Sequence, residues 1–171
     1  MGDIETAKKL AKTFRYQDDC VAINDHGAFR NHYLRIYPCE MILKGTNISK
    51  ATCTFLDLKI SIFRGKFRHK SYDKRNDFNF EIANYPHLGG NVPYSASYGV
   101  YISQLVRLCD INLEASSFAA DVKEMTAKFA NQGFDKYTLK STYFKFRERY
   151  LFKWSKFGND MSDIAKSKFT S

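Results

Sequence analysis

Apolar positions recur along this chain with two periods, one helical and one strand-like, and the two alternate in its first half. Over residues 3–13, Ile4, Ala7, Leu10 and Ala11 fall three or four apart behind Asp3, a suitable N-cap, and a helix is predicted. Residues 14–16 and 20–23 are short strand-like runs. Gln17, Asp18 and Asp19 lie between them, so the segment reads as a tight hairpin with two carboxylates at its tip. After a turn at 24–27, residues 28–37 read as a helix with Phe29, Tyr33 and Ile36 on one side, stopped by Pro38. Residues 41–43 form a short strand candidate. Residues 54–63 alternate in part and read as one longer strand; Arg64-Gly65 turns the chain, and 66–72 return beside it.

Punctuation then changes the pattern. Pro86, Gly89, Gly90 and Pro93 make 73–94 irregular, the best place for a boundary. Helices are predicted over 95–109, over 116–131 with Ser116 or Ser117 as cap and Gly133 as stop, and over 136–154. The polar tail from Ser155 is expected to fray. The predicted class is α+β: residues 1–75 with a small antiparallel sheet, a connector at 76–94, a helical unit at 95–156, and a flexible tail at 157–171.

Composition narrows the class. No run of about 18 apolar residues is present, so no membrane-spanning helix is expected. The first residues carry acids and no apolar run, which argues against a signal peptide. Cys20, Cys39, Cys53 and Cys109 stand at no zinc-like spacing and read as buried, reduced thiols of a cytoplasmic or nuclear protein. The net charge of +9 is patterned: residues 59–75 and 136–156 each hold seven basic side chains and one acid, whereas 76–135 hold three and seven. Phe63, Phe67 and Tyr72 interleave the first basic segment, and Tyr143, Phe144, Phe146, Tyr150 and Phe152 the second. Basic segments with aromatic faces suit a nucleic-acid backbone and its bases. On helical spacing, Phe144 and Phe152 are expected inside the core.

The sharpest chemistry is Tyr16-Gln17-Asp18-Asp19, with Phe14 before it and Cys20-Val21-Ala22-Ile23 after it. Two carboxylates ~4 Å apart repel by about 1 kcal/mol in water and roughly 4 kcal/mol at an effective dielectric of 20. A divalent cation relieves that repulsion, and Mg²⁺ takes one or two carboxylates while leaving positions for phosphate oxygens. Asp is also an ordinary turn residue, so the dipeptide alone carries little. Asp57 reads as a structural partner beside Lys59, and His69 as part of a basic strand.

The flanks add a family. Aromatic-x-Asp-Asp on strand-turn-strand resembles the catalytic turn of reverse transcriptases. Thr54-Phe55-Leu56-Asp57-Leu58 followed by Tyr72-Asp73-Lys74-Arg75 is similar to the primer-side hairpin and thumb start of Penelope-like and related eukaryotic retroelements. Asn84-Tyr85-Pro86-His87 departs from the usual His-before-Pro order there, and Arg75 stands where that family often has Pro. The resemblance runs from about Phe14 to about Phe146.

It implies a partial polymerase palm followed by a helical thumb. Asp18 and Asp19 match the metal-binding catalytic pair, taking Mg²⁺ or Mn²⁺, and Tyr16 matches the aromatic near the primer end. Arg64, Lys66, Arg68, Lys70, Lys74 and Arg75, with Lys145, Arg147 and Arg149, would track an RNA template and DNA primer. The family holds a third catalytic Asp on a strand upstream of this turn, together with fingers. Only about one helix precedes the turn here, so the expectation is a polymerase fragment inactive alone. The other open reading is a non-catalytic, basic nucleic-acid-binding remnant.

Overall fold

A computed structural model describes residues 2–160 except 48, 50, 81, 83 and 84, and not the side chains of 2, 3, 159 and 160. Within them the chain is α+β, with two small antiparallel sheets ahead of a helical half. Asp3, expected as the cap, lies inside the first helix, which starts at Gly2; its side chain, the Asn84 step and the tail from Met161 lie outside what is described.

Helix α1 (Gly2–Leu10) leads into strands β1 (Thr13–Tyr16) and β2 (Asp19–Ala22), then helix α2 (Ala28–Ile36). α1 ends before 13 because Thr13 pairs with Ala22 and the Ile23 amide donates to the Lys12 carbonyl at 3.1 Å. The α2 entrance is built locally. Gly27 takes the left-handed φ of 82°, and the Asp25 carboxylate accepts from the Phe29 amide at 2.9 Å.

The second sheet is a meander, β3 (Thr52–Phe55), β4 (Leu58–Phe63) and β5 (Lys66–Ser71), in that order. The single strand predicted over 54–63 is therefore two strands. Leu56 adopts φ 54°, and the chain reverses through Leu56-Asp57 beneath the Phe55–Leu58 pair. The Arg64-Gly65 turn is as predicted: both residues have positive φ (49° and 73°), the primed geometry that two-residue hairpins use. Residues 41–43 are not a strand; Met41, Ile42 and Leu43 join no sheet and are exposed, and the Met41 amide donates to the Pro38 carbonyl at 3.1 Å.

The region 73–94 contains a 3₁₀ turn at Lys74–Asp77, capped by Asp73, whose side chain accepts from the Arg75 amide at 3.1 Å. Helices α3 (Tyr94–Ile111), α4 (Ala115–Asn131), α5 (Lys136–Arg149) and α6 (Leu151–Trp154) follow. Neither Ser116 nor Ser117 caps α4, which starts behind Glu114 without a side-chain cap. Gly133 does stop it, at φ 85°. Asp135 caps α5, accepting from the Thr138 amide at 2.7 Å. The helix predicted over 136–154 breaks at Tyr150, where φ −116° and ψ 35° leave the helical region. The next residues do not fray: Ser155–Asp160 fold back as a 3₁₀ turn, and Phe157 is only 7% exposed, stacked on Phe118 at 5.0 Å.

Burial is lopsided. Tyr101, Leu105 and Cys109 of α3 recur at i, i+4 and i+8, and meet Phe118, Val122, Met125 and Phe129 of α4. Leu139, Tyr143 and Phe146 of α5 close the cluster from a third side. Each Leu or Phe fully buried there contributes about 1.5–3 kcal/mol. In the sheet half, only Ala28 and Phe29 are buried among the described residues. The two halves meet through ion pairs: Asp57 with Arg107 of α3 at 2.8 Å, and Arg68 with Glu114 at 3.7 Å. No helix among the described residues is long and apolar enough to cross a membrane.

Candidate carboxylate turn and basic faces

The β1–β2 hairpin forms as its sequence predicts. Gln17 and Asp18 make a two-residue turn, with Gln17 at φ 51°, and Asp19 opens β2 opposite Tyr16. Arg15 secures the turn through its Nε, which donates to the Gln17 carbonyl at 2.7 Å. Directly opposite residues share a face, so the Tyr16 ring and the Asp19 carboxylate lie together, with Phe14 and Val21 next along that face. Asp18 stands at the tip. Tyr16, Asp18, Asp19 and Phe14 are all exposed.

The opposite face has a backing. Arg15 lies over the Tyr37 ring at 4.9 Å from its centroid, Cys20 Sγ is 3.9 Å from the Tyr37 hydroxyl, and Tyr37 meets Phe29 edge-on. The hairpin therefore leans on the end of α2 with one face and presents the aromatic and carboxylate to solvent with the other.

Asp18 and Asp19 supply the hard oxygen donors that suit Mg²⁺, and their number matches what that ion takes from protein when phosphates supply the rest. Among the described residues, no group of three or more His, Cys, Asp or Glu is placed to hold a metal. No described basic side chain forms an ion pair with either Asp. The pair can thus accept a cation, but it completes no cage by itself.

The first basic segment lies on the β4–β5 hairpin. Its register places Lys59 opposite Lys70, Ser61 opposite Arg68 and Phe63 opposite Lys66. One face consequently holds Lys59, Phe63, Lys66, Arg68 and Lys70. Like charges directly opposed are destabilising unless an anion lies over them. Phe67 falls on the other face, paired with Ile62. The aromatic among these cations is Phe63, with Arg64 and Arg68 each 5.2 Å from its ring centroid. Period two could have separated Phe67 from the lysines.

The remaining predicted contacts divide. Lys66, Lys70, Lys74 and Lys145 are exposed, and no described acid pairs with them. Arg68 pairs with Glu114, as above. Arg75 forks onto Asp73 through Nε at 2.6 Å and Nη2 at 2.8 Å. Arg147 packs over Trp154 at 4.6 Å, and Trp154 Nε1 donates to its carbonyl at 2.7 Å. Arg149 is exposed, with its guanidinium 5.6 Å from the Tyr150 ring centroid.

A cleft of about 200 Å³ between β5 and helices α3 and α4 has no counterpart in the sequence reading. Asp73 anchors it. Burial opposes the Asp73 charge, but hydrogen bonds from Arg75 and the nearby Lys128 ammonium, 3.6 Å away, hold the carboxyl below its ordinary value. Lys128 also pairs with Glu124 at 2.8 Å. Asp57, expected to partner Lys59, reaches Arg107 instead. Asp73, Arg75, Glu124 and Lys128 pair with one another here and tie the halves together, while Lys70, which also lines the cleft, pairs with no described acid.

Of the thiols expected to be buried, Cys109 is; Cys20 and Cys53 are half-buried, and Cys39 is exposed. No family model matches this chain, and neither does any curated protein or solved structure.

Proposed function

We propose that this chain is the palm and thumb portion of an RNA-directed DNA polymerase, with Asp18 and Asp19 as its metal-binding pair. One observation carries the reading: a two-residue hairpin turn that sets Asp18 at its tip and Asp19 beside an exposed Tyr16. In this reading the sheet half is the palm and α3–α6 the thumb. Asp18 and Asp19 would hold Mg²⁺ or Mn²⁺, which when bound supplies charge stabilisation to a transferring phosphoryl group. Tyr16 would offer a flat ring at the primer end. Lys66, Lys70 and Lys74 on one half, and Lys145 and Arg149 on the other, would contact phosphates of an RNA template and DNA primer.

Nucleotidyl transfer needs both ions held in register, and the described residues place no third ligand at this turn. The purified chain should therefore extend no primer on RNA or DNA. It should bind Mn²⁺ weakly by calorimetry, and Asp18→Asn with Asp19→Asn should abolish that binding. Tight binding that survives the double variant would place the ion elsewhere and remove the reading.

A second reading, a non-catalytic nucleic-acid-binding protein, is favoured by the unpaired lysines on both halves. Its signature is steep salt dependence without metal dependence. About five phosphate contacts give a log–log slope of roughly −4.5 on duplex. Fluorescence anisotropy on a mixed-sequence RNA–DNA hybrid would measure it. Loss of affinity on chelation would separate the first reading from the second.

A further inference from the structure

Helix α5 has two opposite characters. Leu139, Thr142, Tyr143 and Phe146 point into the core. At 100° per residue, Tyr137, Ser141, Phe144 and Glu148 fall on the opposite side, with Lys140 flanking one edge and Lys145 the other. Exposure agrees: Tyr137 is 84% exposed and Phe144 38%. A ring as open to water as Tyr137 gains little from folding. Tyr137 and Phe144 are seven residues apart, about 10 Å along the axis. Among the described residues, no acid pairs with Lys136, Lys140 or Lys145; Glu148 is the one acid on this face.

We infer that this face is a stacking ledge for single-stranded nucleic acid: unpaired bases lie on Tyr137 and Phe144 while Lys140 and Lys145 meet the phosphates. Charge complementarity selects a polyanion, and exposed ring faces select one whose bases are unpaired, since a duplex hides its base faces. The ledge rests on the reading of the chain as a nucleic-acid-binding protein. It adds a substrate form that the β4–β5 face, with its lysines and a single cation-covered ring, does not distinguish.

The test compares a labelled, mixed-sequence single-stranded DNA of about 16 nucleotides with the same sequence as duplex, each titrated at several salt concentrations. Tyr137→Ala and Phe144→Ala should each weaken single-strand binding about tenfold with unchanged salt slope and unchanged duplex affinity. Tyr137→Trp should retain wild-type binding. Lys145→Gln should flatten the single-strand slope by about 0.7. Tyr137 and Lys145 are well exposed, so thermal melts of their variants should match the wild type. If both aromatic variants bind single strands like the wild type, while Lys66→Gln and Lys70→Gln weaken both probes, the ledge is overturned and nucleic-acid binding stands. If the wild type binds neither probe, both fall. If it sediments as a dimer that Tyr137→Ala disperses, the face serves a second copy and the ledge is overturned.

Discussion

Leu56 holds a φ of 54°, in a region that costs a non-glycine residue about 1–2 kcal/mol. Asn tolerates that region better, so Leu56→Asn should raise stability by about 0.5–1 kcal/mol. A denaturant midpoint no higher than wild type would mean that Leu56 contributes packing which offsets its strain. The same residue explains why a single strand is predicted where two exist: Leu56 announces no turn and Asp57 alone is a weak signal, whereas Arg64-Gly65 carries its glycine in plain view. The Asp18-Asp19 turn was legible because short polar residues interrupt two apolar runs. The partner of Asp57 was not, since Arg107 lies fifty positions away and no local period links them. Thiol chemistry follows from burial alone. Cys39 should react with a disulfide reagent in the native protein, and Cys109 only after unfolding, because the thiolate is the reactive form and burial pushes its pKa up to about 12.

At the scale of elements, α3 to α5 were legible because core contacts every three or four residues leave a local trace. The fold-back at Ser155–Asp160 left none. One phenylalanine among polar residues has no period; the Phe118 ring across the core, with the Lys156 ammonium 4.9 Å from the Phe157 centroid, gives it its place. Phe157→Ala should cost about 3–5 kcal/mol by the cavity it leaves. The loss should appear in thermal melts of the helical signal, with Phe157→Leu recovering much of it. The surface of α5 was misjudged for a related reason. Phe144 and Phe152 have helical spacing, but Tyr143 and Phe146 occupy the inward positions first. Spacing identifies a face without saying which way the face is turned.

For the whole molecule, stability is concentrated in one half, and pH should expose that. Burial raises the Tyr143 hydroxyl from 10.0 to about 12, the Cys109 thiol from 9.0 to about 12, and the Tyr101 hydroxyl further still. Unfolded chains lose these protons near the ordinary values, while the folded protein keeps them. The stabilisation is therefore complete below pH 9 and should fall as pH climbs toward 12. Asp73 has the opposite sign. Its lowered value supports folding above the ordinary 3.8, and that support is lost as pH drops through the folded value. Urea melts across both ranges should show the helical signal failing at high pH. Contact between the halves, followed by fluorescent labels on Cys39 and an introduced surface cysteine on α4, should weaken at low pH. The α+β class and the basic segments could be read from the chain because composition and period are local. The ion-pair junction could not, because it joins positions that meet only after folding.

The buried Phe157 also sets a clock on synthesis. Phe118 leaves the ribosome 39 residues before the ring that covers it. At about 5–20 residues per second that interval lasts roughly 2–8 s. Throughout it, the nascent helical half carries an open apolar groove on a chain that cannot yet close it. A chain cut short after Trp154 would keep that groove open for good, a species that chaperones bind and proteases cut.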